Sequence, residues 1–510
     1  MRGRYIAAIS SGLLLIFSFA PFGLWPLAFV AFVPLMRATS GQKAGYSFFL
    51  GLISGLVFFI GTVYWVVHSM YFYGGLGLIE SLPVMLLLAA YLALFFAFFS
   101  LFSRYTPPSP SGTLFFLPCL WVALEYLRAH LFTGFPWVLA GYSQAHNLIL
   151  LQMADITGVW GLSFMVILVN TCIYILTRSY GRARPFPAKV PVITVTIVAV
   201  VSLYGILRIK QVESAVRSWP VARAAVAQGN IDQAVKWDKS YQAHTLRIYR
   251  ALTERAASRG AELVVWPETA VPFYLEKNEA GFGVVTDIAV SENVTLLTGS
   301  PAFDYNKKTG DPRYYNSAYV ISSDGRIGGR YDKVHLVPYG EYVPLKRFMP
   351  FVKKLTAGVG DFVSGPGPVP LEVNGFKAGL LICYEAIFPA LSRISVRDGA
   401  GILVNITNDG WFGRTSAPYQ HLDMTLVRAV ENRIFLLRAA NTGISAVISP
   451  VGKLKKRTKL FTGDVLVEEV SIKDGEQKTF YTAYGDIFAY VSLAFAGLVI
   501  VFGRGRRRSL

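Results

Sequence analysis

Gly379-Leu380-Leu381-Ile382-Cys383-Tyr384-Glu385-Ala386-Ile387-Phe388-Pro389 is an apolar run of strand length that delivers a cysteine, a tyrosine and an acid, then stops at a proline. Proline donates no ladder hydrogen bond, so the strand ends there, and the side chain at its tip faces whatever lies beyond the sheet edge. A rigid strand end that opens outward suits a nucleophile. The competing reading is a buried cysteine packed as a small hydrophobe.

The rest of the chain decides between these readings, beginning with its composition. The 510 residues are 53% hydrophobic and 14% aromatic, more apolar than a soluble protein and typical of one with several membrane spans. The net charge of +18 would fit a nucleic-acid partner if it were clustered on one face. It is not. Residues 210–484 hold 34 Lys+Arg and 27 Asp+Glu, a net of +7, and the remainder holds 15 and 4, a net of +11, placed at the ends of apolar runs. That pattern sets membrane orientation and implies no nucleic acid.

Apolar runs fall at about 5–20, 24–36, 46–67, 79–102, 114–131, 159–177 and 190–207, with an eighth at about 485–503. Several are shorter than the roughly 20 residues a span needs, so tilted or re-entrant pieces are expected. The first run has no clear small-residue cleavage site and another follows at once, which argues against a removable signal peptide. Arg2, Arg4, Arg37, Lys43, Arg104, Arg178, Arg182, Arg184, Lys189, Arg504, Arg506, Arg507 and Arg508 collect on one side, which the positive-inside rule makes cytoplasmic. Eight spans then return both termini to the cytoplasm and leave the insert outside it. The expected organisation is a membrane domain at 1–209, a polar α/β domain at 210–484, and a final span with a basic tail at 485–510.

Within the insert, Val221 to Ala227, Ala261 to Glu268, Val294 to Thr298, Ala318 to Ser322, Phe376 to Cys383, Gly401 to Ile406 and Ile444 to Ser449 read as strands. Tyr241 to Ser258 and stretches near 281–292, 389–398 and 418–439 read as helices. This alternation argues helices covering a sheet. Cys119 and Cys172 lie in apolar segments and read as packing, so Cys383 is a lone thiol in the polar domain. Three strand ends there carry reactive groups: Glu268 after Val264-Val265-Trp266-Pro267, Lys333 in Tyr331-Asp332-Lys333-Val334-His335, and Cys383. A carboxylate can take the thiol's proton, and an ammonium can stabilise the oxyanion formed when sulfur attacks a carbonyl. His335, two residues from Lys333, is the one rival base for Cys383. The remaining histidines show no metal-ligand spacing, so neither a metal nor a cofactor is expected. Glu80 reads as a span end, Glu125 as a partner of Arg128 one turn on, and Lys453 to Arg457 as a solvated hairpin.

Trp266-Pro267-Glu268-Thr269, the run Tyr331 to Pro344 and Cys383-Tyr384-Glu385-Ala386-Ile387-Phe388-Pro389 together resemble the nitrilase (carbon–nitrogen hydrolase) superfamily, with its Glu-Lys-Cys triad in that chain order; Asn405 to Gly413 fits the same pattern. Seven spans before the domain and one after it resemble a single branch, the apolipoprotein N-acyltransferases. The resemblance implies an α-β-β-α sandwich on a polytopic helical membrane domain in the bacterial inner membrane, with the sandwich in the periplasm. It implies acyl transfer from a phospholipid, typically phosphatidylethanolamine, to Cys383 as a thioester. The acyl chain then passes to the α-amine of the diacylglyceryl-cysteine of an apolipoprotein. Glu268 would be the base, and Lys333 with the Tyr384 N–H would hold the oxyanion. Glu341 and Glu385 would be supporting acids, and Trp237 a substrate contact. Asn316, Tyr384, Trp411 and Phe412 would be pocket wall. The run Pro344 to Leu355, with Phe348, Phe351 and four basic residues, reads as a lid at the lipid surface. A monomer is expected. The alternative is a membrane-tethered amidase or nitrilase that uses the same triad with water as acceptor.

Overall fold

The computed structural model describes residues 1–179, 186–342 and 361–508. The chain forms two compact units, Met1–Val67 with Leu78–Lys210 and Tyr484–Leu510, and His68–Gly77 with Gln211–Ala483.

The first unit is helical. Five helices among the described residues are long and apolar enough to cross a membrane: Ala44–Val63, Leu78–Tyr105, Pro110–His130, Val159–Ser179 and Lys189–Val216. The other expected spans are shorter. Arg2–Ser18 has 17 residues. The run at 24–36 is split into Trp25–Phe29 and Val33–Thr39, each opening with a proline in its first turn. Ile487–Gly503 is the short apolar helix near the C-terminus. A break in a helix frees backbone groups that hydrocarbon cannot satisfy, so side chains must do it. Asn170 does so between the two pieces, accepting from the Phe32 N–H at 2.8 Å and donating to the Ala28 carbonyl at 2.8 Å. Glu125 lies 4.0 Å from Arg128, as the spacing predicts, and each also serves irregular backbone. The Ala140 N–H donates to Glu125 at 2.6 Å, and Arg128 donates to the Trp137 carbonyl at 3.0 Å. Small residues let helices Ala44–Val63 and Leu78–Phe102 approach closely: a Cβ on Gly51 would sit 2.5 Å from the Phe96 carbonyl oxygen.

The second unit has the nitrilase fold, two six-stranded sheets face to face. Its strands are β1 (Val221–Gln228), β2 (Leu263–Val265), β3 (Thr295–Tyr305), β4 (Pro312–Ile321), β5 (Ile327–Asp332), β6 (Leu371–Val373), β7 (Phe376–Ile382), β8 (Ile402–Thr407), β9 (Leu436–Ala440), β10 (Ala446–Ile448), β11 (Leu454–Arg457) and β12 (Asp464–Ser471). The sheet orders are β12-β1-β2-β3-β4-β5 and β11-β10-β9-β8-β7-β6. Each is parallel in its middle, β1-β2-β3 and β7-β8-β9, and antiparallel outside.

Strand alternation sorts side chains between two layers. Ala224, Val226, Leu263 and Val265 pack with Leu380, Ile382, Val404 and Leu437 between the sheets. Their neighbours Ala225, Ala227 and Val264 face Leu246, Tyr249, Val285 and Ile288 on helices Lys239–Ala257 and Glu279–Ser291. Helices Pro389–Arg397 and Ala417–Asn432 pack on the second sheet. The helix expected at 418–439 is therefore too long, since its last residues form β9. Arg433 adopts a left-handed conformation, φ 51°, that ends the helix and lets the chain re-enter the sheet.

Candidate active site

The reactive residues sit where strands end. Trp266 anchors the first of them. It is fully buried, its ring stacks on Tyr249 at 4.9 Å, and its N–H donates to Thr253 Oγ1 at 3.0 Å. Burial of such a ring contributes about 2–3 kcal/mol and fixes the chain two residues before Glu268. Lys333 follows β5 directly, and Cys383 follows β7.

Three groups converge on Glu268. Its Oε1 accepts from Asn316 Nδ2 at 2.7 Å, its Oε2 accepts from the Asn408 N–H at 2.9 Å, and Lys333 Nζ lies 4.0 Å from Oε1. Lys333 donates to Glu341 Oε1 at 2.9 Å, and Glu341 Oε2 accepts from the Val337 N–H at 2.8 Å. Asn316, expected as pocket wall, bridges the two acids, because its Nδ2 also reaches Glu341 Oε1 at 2.9 Å. Burial works against the Lys333 ammonium, but Glu341 and Glu268 outweigh it and hold its pKa above the ordinary lysine value.

Cys383 is buried and left-handed, φ 55°. Burial pushes its thiol up to about 12, as does the neighbouring Glu268, while Lys333 pulls it down. The resting sulfur therefore keeps its proton. Tyr384 is the second residue of the tight turn Cys383–Ile387 and is buried, with its ring 5.9 Å from His335 and 5.1 Å from Phe388.

Glu385 is fully buried and touches backbone. Its carboxylate accepts from the N–H groups of Ile382 at 2.6 Å, Val334 at 2.6 Å and His335 at 3.0 Å, and from the Tyr331 hydroxyl at 3.0 Å. It ties the chain around Lys333 to the chain around Cys383. Burial raises its carboxyl to about 7 against the pull of those donors and of Lys333.

A second buried network lies behind the cysteine, and the sequence reading passed over it. Arg438 donates to Asp409 Oδ2 at 2.7 Å, and its Nη2 is 3.1 Å from His421 Nδ1. Burial and the Arg438 charge lower the His421 pKa against the pull of Asp409, whose Oδ1 lies 3.0 Å from Nδ1, and Nε2 lies 3.2 Å from the Cys383 carbonyl oxygen. Thr407 Oγ1 donates to Asp409 Oδ1 at 3.0 Å. Arg438 sits in the middle of β9, a strand buried at every position.

Of the other expected site residues, Trp237 is 43% exposed, next to the buried Lys236. Trp411 packs edge-on to Tyr73 at 5.1 Å, and its carbonyl accepts from Ser69 Oγ at 2.8 Å, within the same unit. Phe412 lies 6.3 Å from the His421 ring. Phe348 and Phe351, with the rest of the expected lid, lie outside the described residues. No group of three or more His, Cys, Asp or Glu residues among the described residues could hold a metal ion.

Residues 223–478 match the carbon-nitrogen hydrolase family, and residues 11–172 match the apolipoprotein N-acyltransferase N-terminal domain. The chain is 43% identical over 513 residues to an apolipoprotein N-acyltransferase of Geobacter metallireducens, covering 100% of this chain and 96% of that one. The chain belongs to the apolipoprotein N-acyltransferase family. Relatives of the same name in Azotobacter vinelandii and Haemophilus ducreyi are 34% and 32% identical, over 92% and 96% of this chain and 90% and 94% of theirs. A mutant amidase of the nitrilase superfamily from Nesterenkonia AN1 is 22% identical, covers 53% of this chain and 97% of its own, and superposes with a TM-score of 0.39. As a member of the apolipoprotein N-acyltransferase family with several apolar helices, the chain is a membrane-bound acyltransferase.

Proposed function

We propose that this enzyme moves an acyl chain from a phospholipid, phosphatidylethanolamine among them, to Cys383 and then to the α-amine of the diacylglyceryl-cysteine that begins an apolipoprotein. This is the last step of bacterial lipoprotein maturation. The observation that carries the reading is one ammonium, Lys333, held between Glu341 and Glu268 beside a protonated thiol at a strand tip.

In the first half, Cys383 Sγ attacks the ester carbonyl while Glu268 takes its proton. The carbonyl oxygen becomes an oxyanion, stabilised by Lys333 and the Tyr384 N–H. Collapse breaks the ester C–O bond, the departing lysophospholipid oxygen takes the proton from Glu268, and a thioester remains. In the second half the acceptor amine attacks the thioester and gives a proton to Glu268, sulfur leaves, and the thiol is restored. A thioester divides the transfer into two easier steps. The thiol's high pKa fits general-base catalysis, in which the proton leaves only as the carbon–sulfur bond forms. Glu341 keeps Lys333 charged, and Glu385 acts through the backbone on which Lys333 and Cys383 stand.

The donor cannot travel through water, since each exposed CH₂ costs about 0.8 kcal/mol. The donor therefore reaches the site from the bilayer, with Trp237, Trp411 and Phe412 as contacts to the lipid. The catalytic unit faces the periplasm, both termini face the cytoplasm, and the enzyme works as a monomer.

Mass spectrometry after incubation with phospholipid and no acceptor tests the reading. An acyl adduct is expected on Cys383, absent from Cys383→Ala and Glu268→Gln. Adding a lipopeptide amine should convert it to an amide. Free fatty acid or ammonia as the sole product would replace the acyltransferase with a hydrolase. Wild-type turnover in the Phe348→Ser, Phe351→Ser double variant would remove the lid.

A further inference from the structure

Lys236 is a buried cation to which the reaction above gives no task. It is 2% exposed, and its ammonium donates to the Glu268 carbonyl at 3.0 Å and to Thr269 Oγ1 at 2.6 Å. The peptide it grips is unusual. Thr269 is left-handed, φ 47°, a conformation that a β-branched residue avoids unless its surroundings enforce it. The turn is also pressed against β3: a Cβ on Gly299 would lie 2.4 Å from the Thr269 nitrogen and 2.7 Å from Glu268 Cα. The same stretch of chain reaches Glu268 from a second direction. Gln233 Oε1 accepts from Asn408 Nδ2 at 2.5 Å, and the Asn408 N–H holds Glu268 Oε2.

We propose that Lys236 is the positioning residue of the catalytic base, fixing Glu268 through its backbone carbonyl and setting a positive charge beside it. The proposal rests on Glu268 being the base. Two features of Lys236 suit the role. A buried ammonium is retained only where its hydrogen bonds and opposite charges compensate its lost hydration, and here both come from the turn that carries the base. Burial pulls Lys236 down to about 8, with Glu268 pulling the other way, so the cation and the base feel each other's charge.

Alkylation of Cys383 by iodoacetamide, followed by peptide mass spectrometry across pH, tests this without any acyl donor. Cys119 and Cys172 serve as internal references. Lys236→Met should slow Cys383 alkylation at neutral pH about tenfold and move the midpoint of its acid limb up by about one pH unit, the least that loss of a close opposite charge does to a carboxyl. Lys236→Arg should keep the wild-type midpoint, and Thr269→Val should slow the reaction with the midpoint unmoved. A wild-type rate and midpoint in Lys236→Met, or equal midpoint shifts in the Met and Arg variants, would overturn the proposal. If Lys236→Met does not fold, a shifted midpoint in Lys236→Arg or a wild-type rate in Thr269→Val overturns it instead. A wild-type protein that alkylates as described yet gains no acyl group from phospholipid would refute the acyl-transfer reading and leave the role of Lys236 standing.

Discussion

The end of the first sheet and the end of the second bury their acids against different partners. Beside Lys333, Glu341 meets an ammonium, a side-chain amide and a single backbone N–H. Beside Cys383, Glu385 meets three backbone N–H groups and a phenol. A carboxylate facing a cation sets that cation's charge, whereas one facing N–H groups sets the path of the chain. Two acids within one site thus serve different ends: the first sheet's edge holds the charges that move protons, and the second's holds the nucleophile still.

The sharpest way to break this division is Lys333→Met, which leaves Glu268 and Glu341 facing each other without a cation. Acylation of Cys383 should fall by at least about 10³-fold in single-turnover mass spectrometry. On the other side, Arg438→Met takes the guanidinium away from the buried Asp409 carboxylate. It should cost about 3–5 kcal/mol of stability, read as an earlier thermal unfolding in detergent. The paired test is Glu385→Gln against Glu341→Gln. Replacing Glu385 should destabilise by about 2 kcal/mol, because an amide accepts fewer of its donors. Replacing Glu341 should slow turnover about 10- to 100-fold with little change in unfolding. If both lower stability alike, the division fails.

The smallest effect is an acid one. Burial opposes ionisation of Asp409, but Arg438 and His421 hold its carboxyl at about 2 against an ordinary 3.8. A folded value below the unfolded one gives stability that is present above pH 3.8 and lost as pH falls toward 2. The loss is about 2 kcal/mol. Asp409→Asn should flatten that stretch of a stability-against-pH curve.

β2 and β7, which lead to Glu268 and Cys383, were legible in the sequence because each is an apolar run, the pattern of a buried strand, whereas β5 before Lys333 is short and largely exposed and has no such run. Those that escaped lack it. β12 is buried only at Val465, Val470 and Ser471 and owes its place to β1, its antiparallel partner far away in sequence. β9 continues the apolar rhythm of the preceding helix, and a run that short does not distinguish the two periods. The buried polar residues were the hardest to see. Lys236 and Arg438 have no role in the sequence reading, His421 enters it only for lacking metal-ligand spacing, and it is tertiary neighbours that let all three be buried. In the membrane unit, the short run at 24–36 left a broken helix open as a possibility, but nothing in its own residues pointed to Asn170 as the side chain that completes it.

The left-handed backbone at Cys383 sets evolution a dilemma. Glycine is the residue that conformation welcomes, and glycine has no sulfur. Every copy of the enzyme therefore holds its most important atom on a piece of chain that would relax if the atom were lost. A Cys383→Gly protein should be inert yet comfortable at this turn, and so a better vehicle than an alanine variant for capturing an intact donor lipid.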